Sequence, residues 1–302
     1  MIKGIYTGNL LKWNQIVGFV TLNDYPSLPC PYCNEEQLCI DIKSLQFRKL
    51  PEGTAVKANR KYQSEKATST EQVLSTSQKI LESESNIFLK FLIAAGTYQQ
   101  YVSNPANGEP NLFCGFFSCQ NCQQSVTASG LYMRSFSFDK KEKPPAIKVE
   151  HFSPTVPIVS VSIFTPDSIQ IELNDAFKHF HFDPASSASK LRRAIESFCE
   201  NMQVKGKNLH QKICSMKEQY PEIAEYLEPL KLVGNEGTHA HDVTEIDLLH
   251  AFEIFKFVLE IYDRKERYSA TRKNYEQLVG KFGSDKMLLA IEHQSRDSET
   301  VT

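Results

Sequence analysis

Four cysteines form two pairs with identical spacing, Cys30-Pro31-Tyr32-Cys33 and Cys119-Gln120-Asn121-Cys122. One C-x-x-C knuckle presents two thiolates from a single turn, and two knuckles supply the four ligands of a tetrahedral zinc site. Four protein ligands leave no position for water, so the pattern predicts a structural Zn²⁺ ion. Cys39 and Cys114 are alternative ligands outside the knuckles. Buried free thiols or a redox pair are the other interpretations, although a redox C-x-x-C is typical of βαβ patterns, which we do not find here.

A second polar group lies in the stretch Lys231–Asp242, between two apolar helical patterns. Gly234 predicts the end of a helix and a turn. The ordinary pKa of histidine is about 6.5, so His239 is suited to general acid–base chemistry near neutral pH. The following helix begins nearby, and its free amides favour anions such as phosphate. Lys231 or Arg193 would supply the cation of a phosphate site, while a purely structural turn is the simpler alternative.

The elements that must position this group are helices. Asp183-Pro184 is a capping residue followed by proline at the first helical position, and it predicts a helix start. Thr244 with Asp247 predicts a second start, for a long helix ending near Arg264. A helix stopped by Tyr220-Pro221 and another kinked or ended near Pro229 lie between them. Four or five helices with short connections predict an antiparallel bundle.

The first half shows short strands beside the cysteine pairs, Cys39–Ile42 and Gly130–Met133, with an insertion at about residues 57–113. Within the insertion, Phe88–Ile93 fits either a helix or a buried strand. The predicted fold class is α+β, with an N-terminal zinc-ribbon-like domain carrying a helical insertion and a C-terminal helical bundle. The predicted boundaries are 1–150 for the ribbon-like domain, 151–170 for a proline-bearing connection, 171–266 for the bundle and 267–302 for a partly disordered extension.

With these motifs, residues 171–264 resemble the HEPN (higher eukaryotes and prokaryotes nucleotide-binding) superfamily of helical bundles. The knuckles in front make the chain most similar to the domain-of-unknown-function family 4145. That family's pattern places an arginine about one turn before a glutamate, for which Arg192 or Arg193 precedes Glu196. The family also has an Arg-x-x-Gly-Asn-x-x-x-His motif, which corresponds here to Lys231, Gly234, Asn235 and His239. The chain departs from the motif at its first position, where lysine replaces arginine.

The resemblance implies a metal-independent endoribonuclease of a phage-defence or toxin–antitoxin-like system, assembled as a homodimer. It implies that His239 is the general acid or base, Asn235 an orienting group, and Lys231, Arg193 and Glu196 the rest of the site. Lysine keeps the charge of arginine but lacks the planar fork that grips phosphate, so weaker activity or a binding surface is the expected consequence of the departure.

The composition of the chain restricts the partners that it can have. Lys+Arg 34 against Asp+Glu 36 gives a net charge of −2, so contact with RNA or other nucleic acid requires a local patch. No run of about 18 apolar residues is present, and the start does not read as a signal peptide, which predicts a cytoplasmic protein without membrane contact. The alternatives to a nuclease are a non-catalytic dimerisation module that docks a protein partner of a defence complex, and a nucleotide-binding regulator.

Overall fold

The computed structural model describes residues 8–50, 60–82, 86–136, 141–162, 164–239 and 243–282. Within these ranges the chain is a mixed α and β protein, as the sequence predicts. None of the helices in the described ranges is both long and apolar enough to cross a bilayer.

The strands form one curled antiparallel sheet in the order β1-β6-β5-β4-β2, with β3 also paired to β4. Their bounds are β1 Val20–Thr21, β2 Leu38–Ile40, β3 Gln46–Lys49, β4 Glu109–Cys119, β5 Ser125–Arg134 and β6 Ala146–Ser153. The long strand β4 pairs with three others, because it lies beside β5 along its length and also pairs with β2 through its last residues and with β3 through Asn111–Cys114. Leu38 lies opposite Cys119, which brings the two distant halves of the cysteine pattern to one end of the sheet.

The central strand β5 confirms the strand predicted at Gly130–Met133 and buries a different face at each end. Val126 and Ala128 belong to the main core. Leu131 and Met133 have the opposite parity along the strand, so they face the other side of the sheet. There they form a small second cluster with Tyr62.

The insertion between β3 and β4 is a pair of helices, α2 Arg60–Glu82 and α3 Ile87–Ser103. The stretch Phe88–Ile93, which fitted two interpretations, is helical. Asn86 caps α3, since its side chain accepts a hydrogen bond of 3.1 Å from the amide of Phe88.

Five helices of the second half pack on one another. Their bounds are α4 Asp167–His179, α5 Pro184–Asn201, α6 Leu209–Gln219, α7 Pro221–His239 and α8 Glu245–Phe282. The helix α5 contacts each of the other four. Asp183 accepts from the amide of Ser186, which confirms the predicted cap. Thr244 and Asp247 form a reciprocal capping box, with the amide of each donating to the side chain of the other.

Two helix ends differ from the prediction. The helix α7 continues through Pro229 and Gly234 to His239, so the turn predicted at Gly234 is wrong. Burial of Leu227 and Leu230 in the core favours the helix over the break that proline alone would cause. The helix α8 continues to Phe282, well beyond the predicted end near Arg264. Its last part is exposed and polar, so an apolar pattern could not reveal it.

One hydrophobic core joins the sheet and the helices. Trp13 of the N-terminal helix α1, Gly8–Gln15, is buried with its ring centroid 5.9 Å from that of Phe180. Of the predicted connection at 151–170, the described residues between β6 and α4 are irregular, and Ile158 and Val159 among them are buried in the same core. The predicted domain boundaries stay a prediction, because a shared core neither requires nor excludes them.

Candidate metal centre and helical site

The four knuckle cysteines meet at the end of the sheet. The sulfurs of Cys30, Cys33, Cys119 and Cys122 all lie within 4.8 Å of one another. The Cys30 and Cys122 sulfurs are 3.6 Å apart, and those of Cys33 and Cys119 are 3.7 Å apart. A tetrahedron of thiolates at about 2.3 Å from a metal has edges of about 3.8 Å, whereas a disulfide requires about 2.05 Å. The geometry is compatible with a metal site and not with disulfides.

The two knuckles share one backbone conformation. The amide of Asn34 donates to the carbonyl of Cys30, and the amide of Gln123 donates to the carbonyl of Cys119. Asn34 and Gln123 both have a φ of 60°, a left-handed conformation directly after the second cysteine of each pair. The β1–β2 and β4–β5 connections therefore present their thiols through the same turn, which a C-x-x-C spacing alone does not establish.

Hydrogen bonds from the backbone favour thiolates at this centre. The amide of Glu35 lowers the pKa of Cys33 to about 7. The amide of Tyr32 lies 3.5 Å from the sulfur of Cys30, although burial raises the pKa of that thiol to about 12. A bound cation would offset this cost, because a metal deprotonates the thiols that coordinate it. The donor set and its amide contacts thus fit a metal held by four cysteines.

The alternative ligands are not part of this group. Cys39 lies in β2 opposite Ser118, and Cys114 lies in β4 opposite Gln46. Among the described residues, the four knuckle cysteines are the group of His, Cys, Asp and Glu side chains placed to hold a metal ion.

In the helical half, Lys231 belongs to α7 and its side chain reaches toward α6. Its side chain is only 15% exposed, and its Nζ lies 3.2 Å from Glu228 and 3.2 Å from Nδ1 of His210. Lys217 also donates to Glu228, at 2.9 Å. These two lysines hold the pKa of the Glu228 carboxyl below its ordinary value, with Lys217 the larger cause. Lys231 is therefore a cation whose charge is partly offset by Glu228.

The two candidate arginines occupy different places. Arg193 points to α4, where its guanidinium lies 2.6 Å from Glu172. Arg192 faces α7, where the missing side chain of Gly234 leaves room for it, and its Nε donates to Glu196 at 3.1 Å. Arg192 with Glu196, rather than Arg193, is the pair that the structure brings beside α7.

Lys231, Asn235 and His239 follow one another at four-residue intervals along α7. This spacing places the three positions on one side of the helix. The side chains of Asn235 and His239 lie outside the described part of the structure, as do His241 and Asp242.

His210 and Glu228 are neighbours of Lys231 that the sequence interpretation did not include. Glu228 precedes Lys231 by three residues on one helix, a spacing that could have indicated the pair. His210 belongs to α6, and only the packing of α6 on α7 brings it close, so no local pattern could have found it.

A search of curated proteins found no match to the chain, and a search of solved structures found none. Residues 174–277, from within α4 to near the end of α8, match the family model described as "Domain of unknown function (DUF4145)".

Proposed function

We propose that the helical half is a HEPN-like, RNA-directed module that cleaves RNA without a metal ion. The observation that carries this proposal is the approach of Arg192 to Gly234. It brings the arginine–glutamate pair of α5 beside the α7 segment that holds Lys231, Asn235 and His239. This approach supports treating the two motifs, which are separated in sequence, as one candidate site within the region that matches the family model.

The chemistry follows from the residue types. In the proposed reaction His239 takes a proton from a ribose 2′-hydroxyl or gives one to the leaving oxygen. Arg192 and Lys231 supply the positive charge that stabilises the developing phosphorane, and Asn235 orients a reacting group. The 2′-oxygen attacks the adjacent phosphorus and the 5′-oxygen leaves, so the product carries a 2′,3′-cyclic phosphate.

The test compares purified wild-type protein with His239→Ala on single-stranded RNA in buffer free of divalent cations. We expect cleavage that leaves 2′,3′-cyclic phosphate ends and is lost in His239→Ala. His250→Ala, which alters an exposed histidine of α8, is the matched control and should keep the activity. Equal cleavage by wild type and His239→Ala would assign the activity to a contaminant and end the proposal.

We further propose that the ion held by the four cysteines is Zn²⁺ and that it is structural. Four thiolates at one tetrahedral centre are typical of zinc sites that stabilise small folds. Here the ion would tie the β1–β2 and β4–β5 connections together at the end of the sheet. Elemental analysis of purified protein tests this, with one zinc per chain as the expected result.

A second candidate function is a non-catalytic module that docks a protein partner in a defence or regulatory complex. The close pairing of Lys231 with Glu228 favours it, because a lysine whose charge is partly offset by a carboxylate stabilises a phosphorane less well. Tight association with a protein partner that His239→Ala leaves unchanged, in protein that does not cleave RNA, would support this candidate over the nuclease.

A further inference from the structure

The helix α3 carries apolar side chains into solvent. Among its 17 residues, Lys90 is the one charged residue. Phe88 is 66% exposed, Phe91 69% and Tyr98 54%, and none of the residues of α3 is buried. Exposed aromatic rings at this density on one helix are unusual for a surface that faces only water.

Five of the apolar residues of α3 form a regular seam. Phe88, Phe91, Ala95, Tyr98 and Val102 follow one another at alternating intervals of three and four residues. This is the a and d pattern of a helix that packs on another helix through two heptads. We call these five residues the α3 seam.

The neighbouring helix α2 does not cover the α3 seam. The cleft between α2 and α3 is lined mostly by polar side chains, among them Ser69 and Thr76 of α2 and Thr97 and Gln100 of α3. Asn107, just beyond α3, donates to Ser69 at 2.8 Å and ties the base of the two helices together. The helix pair thus uses its polar side internally and leaves the apolar seam outside.

We propose that the α3 seam binds the α3 seam of a second copy of this chain, in an antiparallel pairing that makes a four-helix bundle with both α2 helices. In an antiparallel pair, positions a and d face each other under a two-fold axis. Phe88 then lies opposite Tyr98 of the second copy, and Phe91 lies opposite Ala95. Large rings face a ring or a small residue, so the seam is complementary to itself.

The exposed area and the charge of the α3 seam are consistent with a second copy of this chain as its partner. The exposed parts of the seam side chains present on the order of 500 Å² per chain, so their pairing buries on the order of 1,000 Å² in all, which reaches the lower bound for a specific interface. With Lys90 on the side of α3 away from the seam, no like charges oppose one another across the pairing. A lipid surface fits less well, because burying α3 in lipid would also draw the polar α2 toward the bilayer.

This pairing does not depend on the proposed nuclease, whose residues lie on α5 and α7. The test measures the mass of the full chain in solution by sedimentation equilibrium over a wide concentration range. We expect a dimer for wild type, and a monomer, with half that mass, for Phe91→Glu and for Tyr98→Lys. Leu74→Glu, which changes a 60% exposed residue of α2 outside the seam, is the control and should stay a dimer.

Circular dichroism of each variant verifies that its helices are intact, and two variants at different ends of the seam guard against a local folding defect. A wild-type monomer at every concentration would overturn the proposal. So would a dimer that both seam variants leave unchanged. A wild-type monomer that floats with vesicles of phosphatidylcholine and phosphatidylglycerol would assign the seam to a lipid surface instead.

Discussion

Gly234 of α7 lies so close to Arg192 of α5 that a Cβ built on the glycine would come within 2.8 Å of the arginine Cβ. Separations this short are essentially never found for real side chains. The approach of α7 to α5 therefore depends on the absence of a side chain at position 234. This explains a glycine in the middle of a helix, where it would otherwise cost up to about 1 kcal/mol relative to alanine.

Gly234→Ala should destabilise the protein. The added methyl group must displace Arg192 or separate the helices, a kind of overpacking that costs about 1–3 kcal/mol. Urea unfolding followed by circular dichroism measures the change in the free energy of unfolding. The control is Gly280→Ala in α8, where a Cβ would meet no atom within 4 Å. It should be neutral or stabilising by up to about 1 kcal/mol, and equal effects at both positions would contradict the packing argument.

Arg192→Ala should reduce RNA binding or cleavage more than Arg193→Ala does. Arg192 lies beside α7, whereas Arg193 is held 2.6 Å from Glu172 on α4. Loss of a charge that stabilises the transition state typically lowers the rate by about 10²–10³. Cleavage rates of the two variants on the same RNA decide the point. A larger loss in Arg193→Ala would mean that the α5 surface toward α4, not toward α7, faces the substrate.

Cys30→Ser should remove the proposed zinc and weaken the fold. Three thiolates hold the ion less tightly than four, and the ion contributes directly to folding free energy. We expect the zinc content to fall well below one per chain and the thermal midpoint to drop by on the order of 10 °C. Cys114→Ser alters an exposed cysteine outside the centre and is the matched control. Full zinc content in Cys30→Ser would show that this thiol is not a ligand.

The capping box of α8 should make stability depend on pH in the acid range. The hydroxyl of Thr244, and then its amide, hold the pKa of the Asp247 carboxyl below its ordinary value. A lowered pKa in the folded state means that the carboxylate stabilises the protein above its unfolded pKa of about 3.9. That stabilisation is lost as pH falls through the folded value.

Asp247→Ala should therefore be less stable than wild type by about 1 kcal/mol at pH 7. The gap should close as the pH falls below about 4. Urea unfolding at a series of pH values measures it, and Glu218→Ala, at an exposed position of α6, controls for a change in net charge. A gap that is constant from pH 7 to pH 3 would show that the carboxylate form is not what caps the helix.

The helix starts and the four-cysteine group could be predicted because both rest on local patterns. Asp183 followed by proline, and Thr244 with Asp247, specify caps within four residues. The two C-x-x-C pairs indicate a shared four-cysteine group, and grouping them needed only the assumption of one tetrahedral centre, whereas their common left-handed turn is seen only in the structure.

The path of α7 could not be predicted in the same way. Gly234 reads locally as a helix end, and only the packing against Arg192 shows why the glycine lies inside a helix. The choice between Arg192 and Arg193 likewise depends on which face of α5 meets α7. Local spacing cannot supply this, because adjacent residues on a helix point about 100° apart.

The N-terminal helix α1 and the helical half should unfold as one unit, because a single core includes residues of both. Trp13, the one tryptophan of the chain, packs against Phe180 at the junction between α1 and the helices. Its fluorescence reports on that junction, whereas far-ultraviolet circular dichroism reports mainly on the helices. Coincident urea transitions by the two signals are expected for a cooperative unit.

Trp13→Phe should lower the free energy of unfolding without splitting the transition, since the smaller ring leaves a cavity costing about 1–3 kcal/mol. Two separated transitions in the wild type would show instead that the core around Trp13 unfolds independently of the helices.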